Sequence, residues 1–111
     1  MLASEVPPAC LEEPTPIGRA MCLNGALQES ERRVAALVRQ AAAPHLGLRD
    51  QDLVAAQDHW RRYRDLHCGL RERDGESAGS EAPADIAACR LTITVQREAA
   101  LRALIGAMGP R

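Results

Sequence analysis

Four cysteines in a chain of 111 residues constrain this fold more than any other feature of the sequence. No two of them form a Cys-x-x-Cys pair, so their spacing excludes a zinc ribbon and a thioredoxin-type redox motif. Apolar residues make up 46% of the chain, but many of them are alanine and phenylalanine is absent. A thin core of small side chains commonly needs covalent cross-links. We therefore predict two disulfides among Cys10, Cys22, Cys68 and Cys89.

Disulfides form and persist in oxidising compartments, so they predict a location in the periplasm or outside the cell. Residues 1–16 have neither a basic n-region nor an apolar h-region, so no secretory signal is visible. We expect that a signal peptide has been removed. The alternative interpretation is a cytosolic protein with four buried, reduced thiols.

Composition argues against several classes of function. The net charge of -1 gives no electrostatic basis for binding DNA, RNA or an anionic membrane. Trp60 and Tyr63 are the only aromatic residues, too few for a base-stacking surface. No stretch approaches the roughly 20 apolar residues of a membrane span. The sequence also lacks a nucleophile motif, a phosphate-binding glycine loop and a His-Glu-x-x-His motif, so we expect neither an enzyme nor a cofactor.

Three helices are predicted after a proline-rich N-terminal arm. Thr15 and Pro16 form a helix start signal, an N-cap residue followed by proline at the first helical position. A polar loop rich in turn residues separates the last two helices. The predicted segments are an irregular arm at 1–15, a single domain at 16–108 with helices at about 16–43, 49–73 and 83–108, and a tail at 109–111. The β-branched run at 92–95 would also suit a short strand, but its neighbours favour helix.

Short connections make successive helices antiparallel, which gives an up-down-up bundle. In that arrangement Cys22, Cys68 and Cys89 lie at one end, where the arm with Cys10 also enters. Three pairings are possible, and we favour Cys10–Cys22 with Cys68–Cys89 because each closes a short loop. The expected fold is an all-α, small antiparallel three-helix bundle with an irregular N-terminal arm, cross-linked by two disulfides.

A cluster of polar and aromatic side chains is expected between the helices. Arg97 interrupts an apolar stripe on the third helix, so we expect it to face the interior. The stripe comprises Ile86, Ile93, Ala100 and Leu104. A buried arginine needs a carboxylate, and Asp65 is the nearest candidate, with Trp60 packed beside the pair. The cluster comprises Gln57, Trp60, Arg64, Asp65 and Arg97. A recognition pocket is one interpretation; an ion pair that fixes helix register is the favoured one.

A metal site is not expected. His67 and Cys68 are adjacent on a helix and diverge by about 100°, so they do not bind one ion together. His59 lies eight positions before His67 and is expected to face solvent.

Two segments resemble a known family. The first runs Leu53-x3-Gln57-x2-Trp60-x2-Tyr63-Arg64-Asp65-x2-Cys68, and the second runs Cys89-x4-Thr94-x2-Arg97-x3-Leu101. Together with Cys10 and Cys22 upstream, they resemble the LprI-type lysozyme inhibitor family of bacterial secreted and periplasmic proteins. The resemblance extends from Cys10 to about Leu104. Val34-Ala35 and Val38 stand where the family has Leu-Asn and Tyr, so the chain is identified as a divergent member.

The resemblance implies a disulfide-bonded helical domain outside the cytoplasm that inhibits lysozyme-like peptidoglycan hydrolases. The expected mechanism is steric occlusion by a protein that binds its target. The alternative is an immunity or envelope-assembly protein with a different protein partner. The sequence does not indicate an oligomeric state.

The polar loop after the second helix is the strongest candidate for the binding surface. Lysozymes are typically basic, so an acidic, hydroxyl-bearing loop would gain association rate from opposite charge as it enters the sugar groove. The candidate residues are Asp74, Glu76, Ser77, Ser80 and Glu81. A solvated connector is the alternative interpretation of this loop.

Overall fold

The computed structural model describes residues 6–70 and 81–108, and within these ranges every regular element is helical. The elements are α1 (Pro8–Leu11), α2 (Pro16–Ala41), α3 (Asp50–Gly69) and α4 (Ala82–Met108). A 3-10 turn at Pro44–Leu46 joins α2 to α3, and it ends at Gly47 with φ 76°. Glycine adopts this left-handed conformation without the steric cost of a Cβ. The expected all-α bundle is confirmed.

The N-terminal arm, expected to be irregular, contains a helical turn. Pro8 is the first residue of α1, where its fixed φ favours helix and its missing N–H costs no hydrogen bond. The backbone N–H of Glu12 donates to the carbonyl of Pro8 at 3.2 Å. Cys10 is 1% exposed, so its disulfide holds this turn against the bundle.

Local chemistry sets the ends of α2. The Thr15 side chain accepts a hydrogen bond from the backbone N–H of Gly18 at 2.9 Å, and Pro16 follows at the first helical position. The helix ends at Ala41, two residues before the predicted end. Ala43 has ψ 132°, because a residue that precedes proline is driven out of the helical conformation.

The helices alternate in direction. The early residues of α2 pack against the early residues of α4 in one apolar cluster, and the late residues pack in another, so α2 and α4 run parallel. Cys68 near the end of α3 is bonded to Cys89 near the start of α4, so α3 runs the opposite way. This is the up-down-up order that the short connections predict.

The aliphatic core is built almost entirely by α2 and α4. One cluster consists of Cys10, Ala20, Leu23, Ala84, Ala87 and Leu91, and the other of Val34, Leu37 and Leu101. Among the described residues, α3 contributes no member to either cluster, and its buried residues are Arg64 and Cys68. A different set of interactions therefore holds α3.

The buried faces of two helices differ from the expected ones. Helical spacing groups Met21 with Leu27, Val34 and Leu37 on α2, but Met21 is 71% exposed and Leu23 is buried instead. On α4 the buried stripe contains Leu91 and Leu101, whereas Leu104 of the expected stripe is 36% exposed. Apolar residues occur on several sides of α4, so their spacing does not select one buried face.

The two disulfides are Cys10–Cys22 and Cys68–Cys89, which confirms the favoured pairing. Their Cα atoms are 5.3 Å and 5.7 Å apart, within the usual range. Cys22 and Cys89 lie in the early part of α2 and α4, and Cys68 lies at the end of α3. Both cross-links therefore lie toward the same end of the bundle.

Candidate functional site

A buried arginine on α3 organises the polar interior. The Arg64 side chain is 5% exposed, and its Nη1 donates to Glu31 Oε2 at 2.8 Å and to Thr94 Oγ1 at 3.1 Å. Its Nε donates to Asp65 Oδ1 at 2.9 Å, and its guanidinium carbon lies 5.2 Å from the centroid of the Trp60 ring. The planar fork of donors thus binds groups on all three long helices. We refer to Glu31, Trp60, Arg64, Asp65 and Thr94 as the Arg64 network.

The predicted ion pair between Arg97 and Asp65 is wrong. Arg97 Nε donates to Gln57 Oε1 at 3.2 Å, and its guanidinium lies 5.7 Å from the Trp60 centroid. Asp65 is one residue beyond Arg64, which places it about 100° around α3 from the face that meets Arg97. Burial without a bound carboxylate lowers the pKa of Arg97.

The structure nevertheless assembles all five members of the predicted polar cluster. Trp60 lies at its centre, within reach of both guanidinium groups. Gln57 and Asp65 each accept a hydrogen bond from one of them. These residues belong to α3 and α4, so they connect the two helices by polar rather than aliphatic contacts.

A second buried charge, not anticipated from the sequence, lies between α2 and α4. Glu98 is 3% exposed and accepts hydrogen bonds from Ser30 Oγ, from Arg33 Nε at 2.8 Å and from Arg102 Nη2 at 3.2 Å. Burial raises the pKa of its carboxyl. The hydrogen bonds from Arg33, Ser30 and Arg102, together with the positive charge of Arg33, outweigh burial and lower this pKa. The sequence carries a signal for this buried charge. Ser30 and Glu98 are polar residues within the mostly apolar faces that α2 and α4 bury.

An open groove of about 420 Å³ lies between α3 and α4. Its lining residues come from both helices: Tyr63, His67, Asp85, Ala88, Cys89, Thr92, Ile93 and Gln96. The rings of Tyr63 and His67 stack, with centroids 5.5 Å apart and planes inclined by 24°. Trp60 and Arg97 line a neighbouring recess that shares Tyr63. We call the groove lined by the eight residues given above the α3–α4 groove.

Exposed apolar side chains border this groove. Tyr63 is 57% exposed, Leu66 is 65% exposed and Leu70 is 57% exposed. Their spacing of three and seven residues puts them on one side of α3. Contiguous exposed apolar surface marks interaction sites more often than isolated residues do. Sequence reasoning did not single out this surface, although the chain's two aromatic residues lie three positions apart beside it.

The predicted loop residues Asp74, Glu76, Ser77 and Ser80 lie outside the described residues. Glu81, the last member of that set, is exposed and binds Arg19 Nη2 at 3.0 Å. Arg19 also donates to the backbone carbonyl of Glu13 at 2.9 Å. This contact connects the start of α4 to the start of α2.

Neither metal-binding nor membrane-spanning features occur in the part of the chain that the structure describes. No three His, Cys, Asp or Glu side chains in residues 6–70 and 81–108 are placed to hold a metal ion. No helix within those ranges combines the length and apolar character of a bilayer span. All four cysteines are in disulfides.

One family matches this chain by its sequence model. The family is described as Lysozyme inhibitor LprI, and the match covers residues 10–101, more than four-fifths of the chain. The matched range contains both disulfides, the Arg64 network and the α3–α4 groove. No curated protein matches the chain, and no solved structure does.

Proposed function

We propose that this chain, which belongs to the LprI lysozyme inhibitor family, binds a lysozyme-like peptidoglycan hydrolase and blocks access to its active site. The observation that carries this proposal is the family match over residues 10–101. The mechanism is steric occlusion: the bound inhibitor fills or covers the substrate cleft and needs no chemistry of its own.

A pre-organised scaffold supports this mechanism. Association costs free energy when loops and side chains must be ordered, so a partner that is rigid before binding loses less. Here two disulfides cross-link α1 to α2 and α3 to α4. Any surface carried by these helices is therefore held in place before the hydrolase arrives.

The same disulfides support a location outside the cytoplasm. Structural disulfides are rare where thioredoxin and glutathione keep thiols reduced, and they are common in the periplasm and in secreted proteins. Peptidoglycan hydrolases act in that space. The proposed inhibitor and its target thus share a compartment.

The acidic loop remains a proposed contact region. Asp74, Glu76 and Glu81 would attract a basic hydrolase and raise the association rate, while Ser77 and Ser80 would supply hydroxyl groups for hydrogen bonds. Glu81 is exposed, and its bond to Arg19 leaves it at the surface.

Inhibition of lysozyme tests the proposal directly. A c-type lysozyme is added to a suspension of bacterial cell walls, and the fall in turbidity is followed with and without micromolar, disulfide-intact protein. We expect the protein to slow lysis, and reduced, alkylated protein to lose this effect. Unchanged lysis with protein that circular dichroism shows to be folded would refute the proposal. Capture of a non-hydrolase envelope protein would then favour the immunity or assembly role.

The loop is tested in the same assay with the double variant E76A/E81A. We expect weaker inhibition than with wild type, because two acidic groups that face a basic enzyme are lost. Glu12→Ala removes an exposed carboxylate from the α1–α2 connection and serves as the matched control. Equal inhibition by E76A/E81A and wild type would remove the loop from the contact surface.

A further inference from the structure

A half-buried arginine on α4 lacks the oppositely charged partner that the fully buried charges have. Arg97 Nε donates to Gln57 Oε1, an uncharged acceptor, at 3.2 Å. Within residues 6–70 and 81–108, no carboxylate lies at ion-pair distance from its guanidinium. By contrast, Arg64 binds two carboxylates and Glu98 binds two arginines. Because buried charges are ordinarily paired, an external anion would stabilise Arg97 more than either of these groups.

The terminal nitrogens of Arg97 are accessible to such an anion. They form no hydrogen bond with any residue that the structure describes. Among those residues, Arg90 Nε is the one side-chain nitrogen or oxygen that is both unpaired and sealed from solvent. The terminal nitrogens of Arg97 are therefore unpaired but open to solvent. A guanidinium in this state can present two parallel N–H groups to one carboxylate.

Arg97 lines a recess of about 220 Å³ between α3 and α4, which we call the Trp60–Arg97 recess. Its lining residues are Trp60, Tyr63, Ile93, Gln96, Arg97 and Ala100. Arg97 is the charged member of this set, and the other side chains are aromatic, aliphatic or neutral. An ion pair formed in such partly apolar surroundings is less screened than one on an open surface.

The Cys68–Cys89 disulfide fixes the level of the lining residues along the two antiparallel helices. Trp60 lies eight residues before Cys68. Arg97 lies eight residues after Cys89, so it is level with Trp60. The guanidinium carbon of Arg97 lies 5.7 Å from the Trp60 ring centroid, in agreement with this register. Tyr63 is three residues from Trp60, about 4.5 Å along the helix axis. One acidic side chain can therefore bind Arg97 and pack its methylene groups against Tyr63.

The ring contacts in the recess favour an acidic amino acid over a sugar, which needs an uncovered aromatic face to stack on. The guanidinium groups of Arg64 and Arg97 both lie over the Trp60 ring. The Tyr63 ring stacks on that of His67, with centroids 5.5 Å apart. The recess thus offers a ligand a positive charge beside apolar surface. This combination suits the carboxylate and methylene groups of glutamate or aspartate.

We propose that the Trp60–Arg97 recess binds a glutamate or aspartate side chain of a protein partner, with Arg97 as its ion-pair partner and Tyr63 against its methylene groups. This site goes beyond the proposed function, because Arg97 selects a carboxylate whichever protein carries it. The experiments that follow therefore use small probes and do not require a hydrolase.

Titration with short peptides tests the ligand chemistry, with Trp60 as the reporter. Trp60 is the chain's one tryptophan, so its indole N–H signal reports on the recess. Acetyl-Gly-Glu-Gly-amide is titrated into 15N-labelled, disulfide-intact protein, with acetyl-Gly-Gln-Gly-amide as the uncharged control. We expect saturable shifts of the Trp60 indole and Arg97 Nε–H signals with the glutamate peptide and none with the glutamine peptide. Absence of shifts, or equal shifts with both peptides, would overturn the proposal.

A matched pair of variants tests the place of binding. Ala100 lines the recess and Ala103 does not, and both are exposed positions on α4. Ala100→Glu supplies a carboxylate from the chain itself, so it should raise the Kd of the glutamate peptide at least about tenfold. Ala103→Glu adds the same charge outside the recess and should leave Kd within about twofold of wild type. Both variants should keep a melting temperature close to that of wild type, since glutamate is a good helix former. Equal Kd values for the two variants would remove the ligand from this recess.

A third probe distinguishes an acidic side chain from an acidic sugar. N-acetylmuramic acid carries its carboxylate on a sugar ring and is titrated under the same conditions. We expect it to bind more weakly than the glutamate peptide, because the Trp60 and Tyr63 rings already have partners. Equal or tighter binding of N-acetylmuramic acid would overturn the assignment to a protein side chain and identify the recess as a glycan site.

Discussion

The α2–α4 pair and α3 are held in the same bundle by different kinds of interaction. Buried aliphatic side chains fill the interface between α2 and α4; Leu91 and Leu101, for example, are each 2% exposed. In contrast, α3 is fixed by the Cys68–Cys89 disulfide and by the Arg64 network. The first interaction is apolar and non-directional, whereas the second depends on a covalent bond and on a few directed polar contacts.

This difference determines what holds the α3–α4 groove in shape, because α3 forms one wall of it. The wall carries Tyr63 and His67, and its distance from α4 is set by the disulfide and by contacts around Trp60. Loss of those contacts would deform the groove even if α2 and α4 stayed packed. Stability of the bundle and the shape of the α3–α4 groove are therefore separable properties.

The largest effect is expected from a cavity in the α2–α4 core. Leu91→Ala should lower the free energy of unfolding by roughly 2–5 kcal/mol, the usual cost of truncating a buried leucine. Urea denaturation under non-reducing conditions measures this loss. Leu104→Ala, at a residue that is 36% exposed, is the control and should cost much less. Equal losses would mean that α2 and α4 are not the main aliphatic interface.

Removal of the α3 cross-link comes next. The double variant C68S/C89S opens a loop with a sequence separation of 21, and the chain-entropy description gives a loss of about 3 kcal/mol. Urea denaturation should show this loss, and a separate binding measurement should show weaker binding of lysozyme. C10S/C22S, with a separation of 12, should cost a similar amount but leave the groove intact. Normal binding by C68S/C89S would contradict the role given to this disulfide.

Disruption of the Arg64 network should have an intermediate effect. Arg64→Ala removes hydrogen bonds to charged groups, which would cost about 2 kcal/mol. The cost stays moderate because the side chains of Glu31 and Asp65 are 31% and 43% exposed. Water can therefore hydrate both carboxylates once Arg64 is removed. Arg62→Ala, an exposed arginine on the same helix, is the control for thermal denaturation. A melting temperature as high as that control would show that Arg64 does not hold α3.

The smallest expected effect is a pH dependence of stability that arises from Glu98, which is buried between α2 and α4. The folded-state pKa of Glu98 lies below its ordinary value of 4.5, so its contribution to stability is present above that pH and is lost as pH falls through the folded pKa. Glu98→Gln should therefore show a shallower loss of stability in acid than wild type. Glu12→Gln, an exposed position, should follow wild type. Identical acid curves for Glu98→Gln and wild type would refute the assignment.

Sequence reasoning predicted what depends on local chemistry. Thr15 and Pro16 fixed the start of α2, and the short separations within each cysteine pair favoured the observed disulfides. Both inferences need only neighbouring residues or loop length. The family resemblance, which rests on the motif around Trp60 and Cys68, agrees with the family match.

What depends on the rotation of each helix was not predictable from spacing. Spacing predicts that Arg97 faces the interior, but it does not select the partner of Arg97, because α4 is apolar on several sides. Asp65 therefore bonds to Arg64, and Arg97 to Gln57. The groove around Tyr63 also escaped the sequence analysis, because a surface between two helices is visible only once both faces are known.

Residue-resolved hydrogen exchange of C68S/C89S, compared with wild type, tests most directly whether α3 is held separately from the α2–α4 pair. We predict that amides of α3 lose protection in the variant while amides around Leu23 and Leu91 keep most of theirs, because local opening then costs less than global unfolding. An equal loss of protection in all three long helices would contradict this account.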